Sequence, residues 1–391
     1  QSIEIFAKLK ILKSLLLTNS VLTGINTQDL RYMRIALALA RRGLGNVWPN
    51  PAVGCVLIKD DVIVGRGWTQ PGGRPHAETE ALARAGEASV GATAYVTLEP
   101  CCHQGETPPC TDALIVGGVS RVVAATNDPD PRVSGKGIAK LRASGIQTVV
   151  GVCESDALEL NAGFISRVTQ AKPLVHLKIA STLDGKIATS RGESKWITGC
   201  HARRRVHAMR AEVDAVLIGI GTALIDNPKL TCRLAGMESL SPTRIVLDPR
   251  LELPMTSELV NSCNDIPTWL ITGLGADTKR LSLLRGLGIE VIQTASDENG
   301  HVDLQKTLSV LAKYGVTRLL IEGGSEIASA FLRLGLVDRV SWFRAATVMG
   351  SDGISAVAGY GLSELKDIQN FEHVSVERIG NDLLETYLQP A

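Results

Sequence analysis

His76-Ala77-Glu78, followed by E-P-C-C-H-Q-G-E-T-P-P-C over Glu99–Cys110, gathers two imidazoles, three thiols and three carboxylates into two short segments. One His and two Cys can hold a zinc ion and leave its fourth position open, the mark of a catalytic rather than a structural metal site. On an established helix, residues two apart face different ways. His76 and Glu78 can therefore reach one point only at a helix's first turn, where the leading residue is not yet helical. A second helix opened by Pro108–Pro109 would bring its positive N-terminal end to Cys110, where thiolate charge is stabilised. The expected ligands are His76, Cys101 and Cys110, with Glu78 as proton shuttle. Cys102 and His103 stay open as replacements for Cys101 or as a fourth ligand. Cys101 is favoured because it directly follows a strand and Pro100.

Such a site generates hydroxide from water near pH 7, and a neighbouring carboxylate can carry protons to a departing amine. The pattern therefore points to hydrolytic deamination of a ring carbon bearing an exocyclic amine. It occupies only the first part of a chain of 391 residues, long enough that two domains are expected. Hydrophobic content of 45% supports real cores, and a net charge of +1 gives no global bias toward nucleic acid or membrane. Aromatic content is only 4%, which argues against a stacking surface for single-stranded nucleic acid. The basic run His201–Arg210 is accordingly read as a solvated helix face. Eight cysteines are too sparse for a disulfide scaffold, so a reducing cytoplasm fits best. No apolar run approaches the roughly 20 residues of a membrane span. Before Thr27, Lys8, Lys10 and Lys13 interrupt short apolar pieces, so residues 1–26 read as an appendage rather than a signal peptide.

Periodicity predicts a helix over Thr27–Leu44 and a hairpin from Val53–Ile58 and Val62–Val64. A helix from near Pro75 to Gly86 follows, then a strand over Thr93–Leu98 that delivers Cys101. Strands at Arg121–Ala125 and Gln147–Val150, with a helix at Gly137–Ala143 between them, complete an α/β unit. A single helix over Ser155–Gln170 leads to a boundary at Ala171–Lys172–Pro173. The second half alternates strands (Leu174–Ala180, Ala215–Ile218, Arg244–Leu247, Trp269–Thr272, Glu290–Ile292, Arg318–Ile321 and Arg339–Phe343) with helices. Cys200–Ala211, Leu304–Lys313 and Ser325–Leu334 are examples of the latter. This alternation argues for a mostly parallel sheet covered by helices. Gly323–Gly324, between a strand and a helix, can present bare backbone N–H groups to a phosphate.

The run T-L-E-P-C-C-H-Q-G-E-T-P-P-C-T-D-A-L-I after H-A-E resembles the deaminase domain of the bifunctional riboflavin biosynthesis deaminase/reductase family. Eight residues separate Cys101 from Cys110, whereas nucleic-acid and nucleoside deaminases usually carry P-C-x-x-C. N-P-A-V-G-C-V at Asn50–Val56 and N-D-P-D-P at Asn127–Pro131 also resemble that family and would line a pyrimidine and ribose-phosphate pocket. In the second half, H-L-K-I-A-S-T-L-D-G-K-I-A at His176–Ala188, G-E-S-K-W-I-T-G at Gly192–Gly199, G-T-A-L-I-D-N-P-K-L-T-C-R at Gly221–Arg233 and L-I-E-G-G at Leu320–Gly324 resemble its reductase domain. The resemblance spans roughly Thr27 to Gly361. It departs at Ala345–Gly350, where the family tends to have Pro after the first Ala, and in the leader before Thr27, which has no family counterpart.

The resemblance implies a cytidine-deaminase-like α/β/α domain over 27–171 and a dihydrofolate-reductase-like α/β domain over 172–391. It implies Zn2+ in the first, and NADPH contacts in the second at Ala180, Trp196, Thr222, Asp226 and Gly324. It further implies substrate contacts at Ser194, Arg210, Leu230, Arg233 and Glu322, with Arg210 and Arg233 clamping a ribose phosphate. No single residue decides NADPH over NADH. The implied partners are small pyrimidine ribosyl phosphates, with neither nucleic acid nor membrane, in a homo-oligomeric enzyme.

Overall fold

The computed structural model describes residues 26–131, 133–297 and 300–390. Apart from Asn26, the expected appendage at 1–26 lies outside the described residues. The chain separates into two compact units, the first ending at Thr169 and the second beginning at Gln170.

In the first unit, α1 (Thr27–Ala40) opens on a capping box in which Asn26 and Asp29 satisfy each other's backbone N–H groups. Then come β1 (Gly54–Lys59), β2 (Val62–Trp68), α2 (Ala77–Ala85), β3 (Thr93–Val96), α3 (Cys110–Val116), β4 (Arg121–Ala124), α4 (Lys136–Ala143), β5 (Gln147–Val150), α5 (Glu154–Leu160) and α6 (Ala162–Gln170). The sheet order is β2-β1-β3-β4-β5, with β1 antiparallel to both neighbours and β3, β4 and β5 parallel. The hairpin is held unusually close to the helices. A Cβ on Gly54 would stand 1.9 Å from the Ala36 carbonyl oxygen, and one on Gly67 would stand 2.1 Å from that of Ala77. Glycine at 67 thus lets the first turn of α2 lie directly on β2.

The single helix expected over Ser155–Gln170 is in fact two, broken at Asn161. The buried Asn161 amide accepts from the Ala52 N–H (2.9 Å) and donates to the Ala52 carbonyl (3.1 Å). That pairing ties the break to the start of the hairpin. A buried ion pair locks α1 to the sheet: Arg121 donates to both Asp29 oxygens at 2.7 and 2.9 Å, and the Tyr95 hydroxyl donates to the same carboxylate.

The second unit contains β6 (Leu174–Ser181), β7 (Lys186–Ala188), α7 (Cys200–Ala211), β8 (Ala215–Gly219), α8 (Ile220–Asp226), β9 (Thr243–Leu247), α9 (Glu258–Asn261), β10 (Thr268–Gly273) and α10 (Thr278–Gly286). β11 (Glu290–Thr294), α11 (Leu304–Lys313), β12 (Arg318–Ile321), α12 (Ser325–Arg333), β13 (Arg339–Arg344), β14 (Ile354–Ser355), β15 (Glu372–Ile379) and β16 (Asp382–Leu388) complete it. Its nine-stranded sheet runs β11-β10-β9-β8-β12-β6-β13-β16-β15. The seven strands from β11 to β13 are parallel, as the alternation predicts, with their apolar side chains buried on both faces. The antiparallel hairpin β15–β16 was not anticipated. Val374 and Val376 on β15 are more than half exposed, so the run shows little of the burial alternation that marks a strand. Its turn end matters nonetheless, because the buried Asp382 accepts from the Gly199 N–H (2.7 Å) at the start of α7.

Gly67→Ala should destabilise the first unit by about 1–3 kcal/mol, the usual cost of overpacking a close contact. Urea unfolding and zinc content both check it. An unchanged midpoint with full zinc would contradict the close seating of α2 on β2.

Candidate active sites

In the first unit, His76 is the N-cap of α2, with extended backbone angles (φ −72°, ψ 161°), and Glu78 lies in the first turn behind it. Cys101 lies on the segment leaving β3, and Cys110 is the first residue of α3. Their donor atoms all lie within 4.8 Å of one another. His76 Nδ1 stands 3.2 Å from Cys110 Sγ and 3.7 Å from Cys101 Sγ. Cys102 and His103 do not join this set, which is the single candidate metal group among the described residues.

The donor chemistry fits zinc. The Cys101 thiol is drawn down to about 4, chiefly by the hydrogen bond to Cys110, with burial opposing and His76 assisting. The Cys110 backbone N–H, at the start of α3, also donates to Cys101 Sγ (3.3 Å). Cys110 itself is pushed well up by the same thiol pair and by burial. Both thiols are already turned toward an imidazole nitrogen. Burial raises the Glu78 carboxyl to about 7, with His76 pulling it down and Cys101 pushing it up. A fully enclosed carboxyl at that value can both accept and release a proton near neutrality.

His76, Glu78 and Cys101 line a cavity of roughly 270 Å³ that also includes Asn50, Val53, Asp128 and Asp130, from the two segments expected to line a substrate pocket. Burial pushes Asp128 up to about 6. Glu99, also on the wall, accepts backbone N–H groups from Asp128, Gly135 and Ile138 and so fixes the 128–138 loop. Sequence reasoning did not single out Arg74, Phe164 or Arg167 as lining residues. The cavity-facing side of α6 could be found only once the chain was folded.

In the second unit, Ala180, Thr222, Glu322 and Gly324 lie at or just beyond the carboxyl ends of the neighbouring parallel strands β6, β8 and β12. That edge of an open α/β sheet is where ligands bind. A Cβ on Gly324 would approach Thr222 Oγ1 to 3.4 Å, so these two residues face each other across a narrow gap at the start of α12. By contrast, Gly323 is required by packing, since its Cβ would meet Ile327 at 2.6 Å. Ser194 and Trp196 share a loop before α7. The Trp196 ring is 67% exposed, lies under the Arg203 guanidinium at 4.5 Å, and is flanked by Lys195, which reaches Asp226 at 3.9 Å. An exposed flat ring under a guanidinium on one loop, and a glycine-opened helix start facing Thr222 at the sheet edge, are features that fit a nucleotide cofactor.

Arg210 donates to both Glu322 oxygens at 2.6 and 3.0 Å, and its third nitrogen donates to the Thr231 carbonyl (2.9 Å). All three nitrogens of this expected phosphate clamp therefore have protein partners. The guanidinium fixes Glu322 and the 227–233 loop, where the buried Leu230 takes a left-handed conformation (φ 55°). Arg233 is exposed and adjoins His207 at 3.4 Å. Burial alone would raise the Glu322 carboxyl, but the Arg210 and Lys178 charges and the Arg210 hydrogen bonds outweigh it and bring it to about 2.

Comparison with known proteins gives two family matches: the RibD C-terminal domain over residues 173–384, and the cytidine and deoxycytidylate deaminase zinc-binding region over residues 26–126. The chain is 43% identical over 356 residues to the riboflavin biosynthesis protein RibD of Aquifex aeolicus, covering 91% of this chain and 97% of that one. It is 39% identical over 367 residues to the RibD of Escherichia coli K12, covering 91% and 98%. Among solved structures, Acinetobacter baumannii RibD superposes with a TM-score of 0.83 at 38% identity, covering 93% of this chain and 99% of that chain. The Thermotoga maritima diaminohydroxyphosphoribosylaminopyrimidine deaminase/5-amino-6-(5-phosphoribosylamino)uracil reductase gives 0.81 at 38%, with the same coverage.

The depressed Glu322 carboxyl has a pH signature. Its folded value of about 2 lies below the ordinary value of about 4.3, so its stabilisation is present above about pH 4.3 and is lost as pH falls through about 2. The difference corresponds to about 3 kcal/mol at neutral pH. In Glu322→Gln, the stability of the second unit should fall less steeply with acid over that window. Urea unfolding at successive pH values measures the slope, and an unchanged slope would refute the assignment.

Proposed function

The chain belongs to the RibD family of riboflavin biosynthesis proteins, and from that premise we propose how its two units divide the chemistry. It is a bifunctional enzyme: a zinc-dependent deaminase acting on 2,5-diamino-6-(5-phosphoribosylamino)pyrimidin-4(3H)-one, and an NADPH-dependent reductase of 5-amino-6-(5-phosphoribosylamino)uracil. We assign the first activity to residues 27–171 and the second to 172–391. The observation that carries the reading is the buried carboxyl of Glu78 behind a His–Cys–Cys donor set whose atoms lie within 4.8 Å of one another.

His76, Cys101 and Cys110 would hold zinc, which supplies Lewis acidity and makes the attacking water more acidic. Glu78 takes one proton of the attacking water on its carboxylate and delivers it to the ring nitrogen, then takes the proton of the hydroxyl so formed on the ring carbon and delivers it to the departing amine, which leaves as ammonia. Cavity walls contributed by Asn50 and Asp128 orient the ring through hydrogen bonds and exclude bulk water.

In the second unit, NADPH supplies the hydride when bound, so no protein nucleophile is required. Ala180, Trp196, Thr222, Asp226 and Gly324 are the residues proposed to hold it, with Trp196 offering an exposed aromatic face. Ser194, Arg210, Leu230, Arg233 and Glu322 form the proposed substrate side. Within that set the exposed Arg233 faces the phosphate, while Arg210 keeps Glu322 ionised and in place.

No helix among the described residues is long and apolar enough to cross a membrane. All eight cysteines are free thiols, the state a reducing cytoplasm maintains, and a cytoplasmic location is part of the proposal. So is homo-oligomeric assembly, supported by the exposed Val374 and Val376 on the edge strand β15.

Glu78→Gln should lower deamination by about 10²–10⁴-fold while leaving reduction of the deaminated substrate intact. Ammonia release and NADPH absorbance, followed on the same full-length protein, separate the two. A zinc-loaded variant retaining the full deaminase rate would show that Glu78 is not the shuttle.

A further inference from the structure

We propose that Arg74 is the residue that recognises the substrate's phosphate in the deaminase cavity, and that Glu106 is a counter-ion exchanged for that phosphate. The inference deepens the deaminase reading above and rests on it. Its starting point is charge. The cavity wall carries four carboxylates, Glu78, Glu99, Asp128 and Asp130, against two cations, Arg74 and Arg167. Among so many carboxyl groups, a ribosyl phosphate dianion entering that cavity needs a guanidinium to take it.

Arg74 is poised to do so. It stands two residues before His76 and is held against the 101–110 insertion. Its Nη1 donates to Thr107 Oγ1 (2.6 Å), and its Nε pairs with Glu106 Oε2 at 3.1 Å. A Cβ on Gly105 would reach Arg74 Nη2 at 3.3 Å, so the glycine leaves room for the fork. The Glu106 side chain is 85% exposed, and an ion pair with so exposed a partner contributes little. A phosphate offers the same planar fork more charge and more acceptor oxygens, so exchange favours the phosphate.

A second observation points to an acceptor at the same place. Arg74 Nη1 lies 3.5 Å from His76 Nε2, while His76 Nδ1 faces the two thiols. An imidazole that ligates metal through one nitrogen carries its proton on the other and normally donates it to an oxygen. Here Arg74 Nη1, itself a donor, stands beside that nitrogen. An oxyanion set between the guanidinium and the imidazole N–H would satisfy both. His103, on the same cavity wall, has a buried Nδ1 without a hydrogen-bond partner and is available to the same ligand.

The test uses full-length zinc-loaded protein and compares the ribosyl phosphate substrate with its dephosphorylated riboside. Arg74→Gln should raise KM for the phosphorylated compound about 10- to 100-fold, the loss of a charge-assisted pair. Its kcat, its zinc content and its kcat/KM for the riboside should stay near wild type. Glu106→Gln should lower KM for the phosphorylated compound, whereas a purely structural Arg74–Glu106 prop predicts the opposite sign. Equal losses on both compounds, loss of zinc in Arg74→Gln, a raised KM in Glu106→Gln, or an effect carried by Arg167→Gln instead would overturn the proposal. Calorimetric titration with inorganic phosphate, in an Arg233→Gln background that removes the guanidinium proposed to face phosphate in the second unit, reads the subsite without turnover. Binding there that is lost with Arg74→Gln supports the subsite even if no ammonia is released, in which case the deaminase reading fails separately. Phosphate binding unchanged by Arg74→Gln overturns the subsite.

Discussion

His76 stands one residue outside its helix, and the first unit is organised around that fact. On a regular helix His76 and Glu78 would diverge by about 200°. Because His76 is the extended N-cap of α2, its imidazole turns toward the thiols while Glu78 is enclosed behind it. The arrangement requires α2 to start at a fixed place against β2. Gly67 permits this by allowing the Ala77 carbonyl within what would be side-chain space. It also requires α3 to start at Cys110, which Pro108–Pro109 enforce from the sequence itself. Two helix starts and one strand end therefore converge, and the positive end of α3 favours the charged form of the sulfur beside it.

The second unit solves a different problem with the same elements. Parallel strands bring residues distant in sequence to one sheet edge, so Ala180, Thr222 and Glu322 arrive together from three consecutive neighbours in the sheet. An ionised carboxylate placed there needs compensation. Arg210, from α7, supplies it bidentately, with Lys178 at 3.6 Å adding a second cation. The start of α7 is in turn tied to Asp382 on the final hairpin, which links the far end of the chain to the cleft through one helix. The backbone N–H groups of Met349 and Gly350, at the end of the 345–350 segment, both donate to the Asp184 carboxylate.

Much of this was legible before folding wherever the signal is local. The β-branched runs gave the central strands, and Pro108–Pro109 gave the start of α3. The preference for Cys101 over Cys102 and His103 agrees with the donor set that the structure brings together. What was not legible depends on partners far away in sequence. Nothing near Asn161 reveals that its amide is claimed by Ala52, 109 residues earlier, which is why one expected helix became two. Nor could Arg210 be told from Arg233 as a phosphate ligand until Glu322, 112 residues on, was found on it. The final hairpin escaped because its edge strand lacks a buried face. Arg74 escaped because its partners, Glu106 and Thr107, belong to an insertion whose path is set only by the fold.

The account depends on a metal held by three protein side chains, with the fourth position left for solvent. X-ray absorption at the zinc edge of the purified full-length enzyme tests this directly. It should report two sulfur and one nitrogen protein ligands together with one light-atom ligand that exchanges with added anions. A third sulfur, or a second imidazole that no added ligand displaces, would mean that Cys102 or His103 closes the shell, and would contradict the assignment of this centre to hydrolytic chemistry.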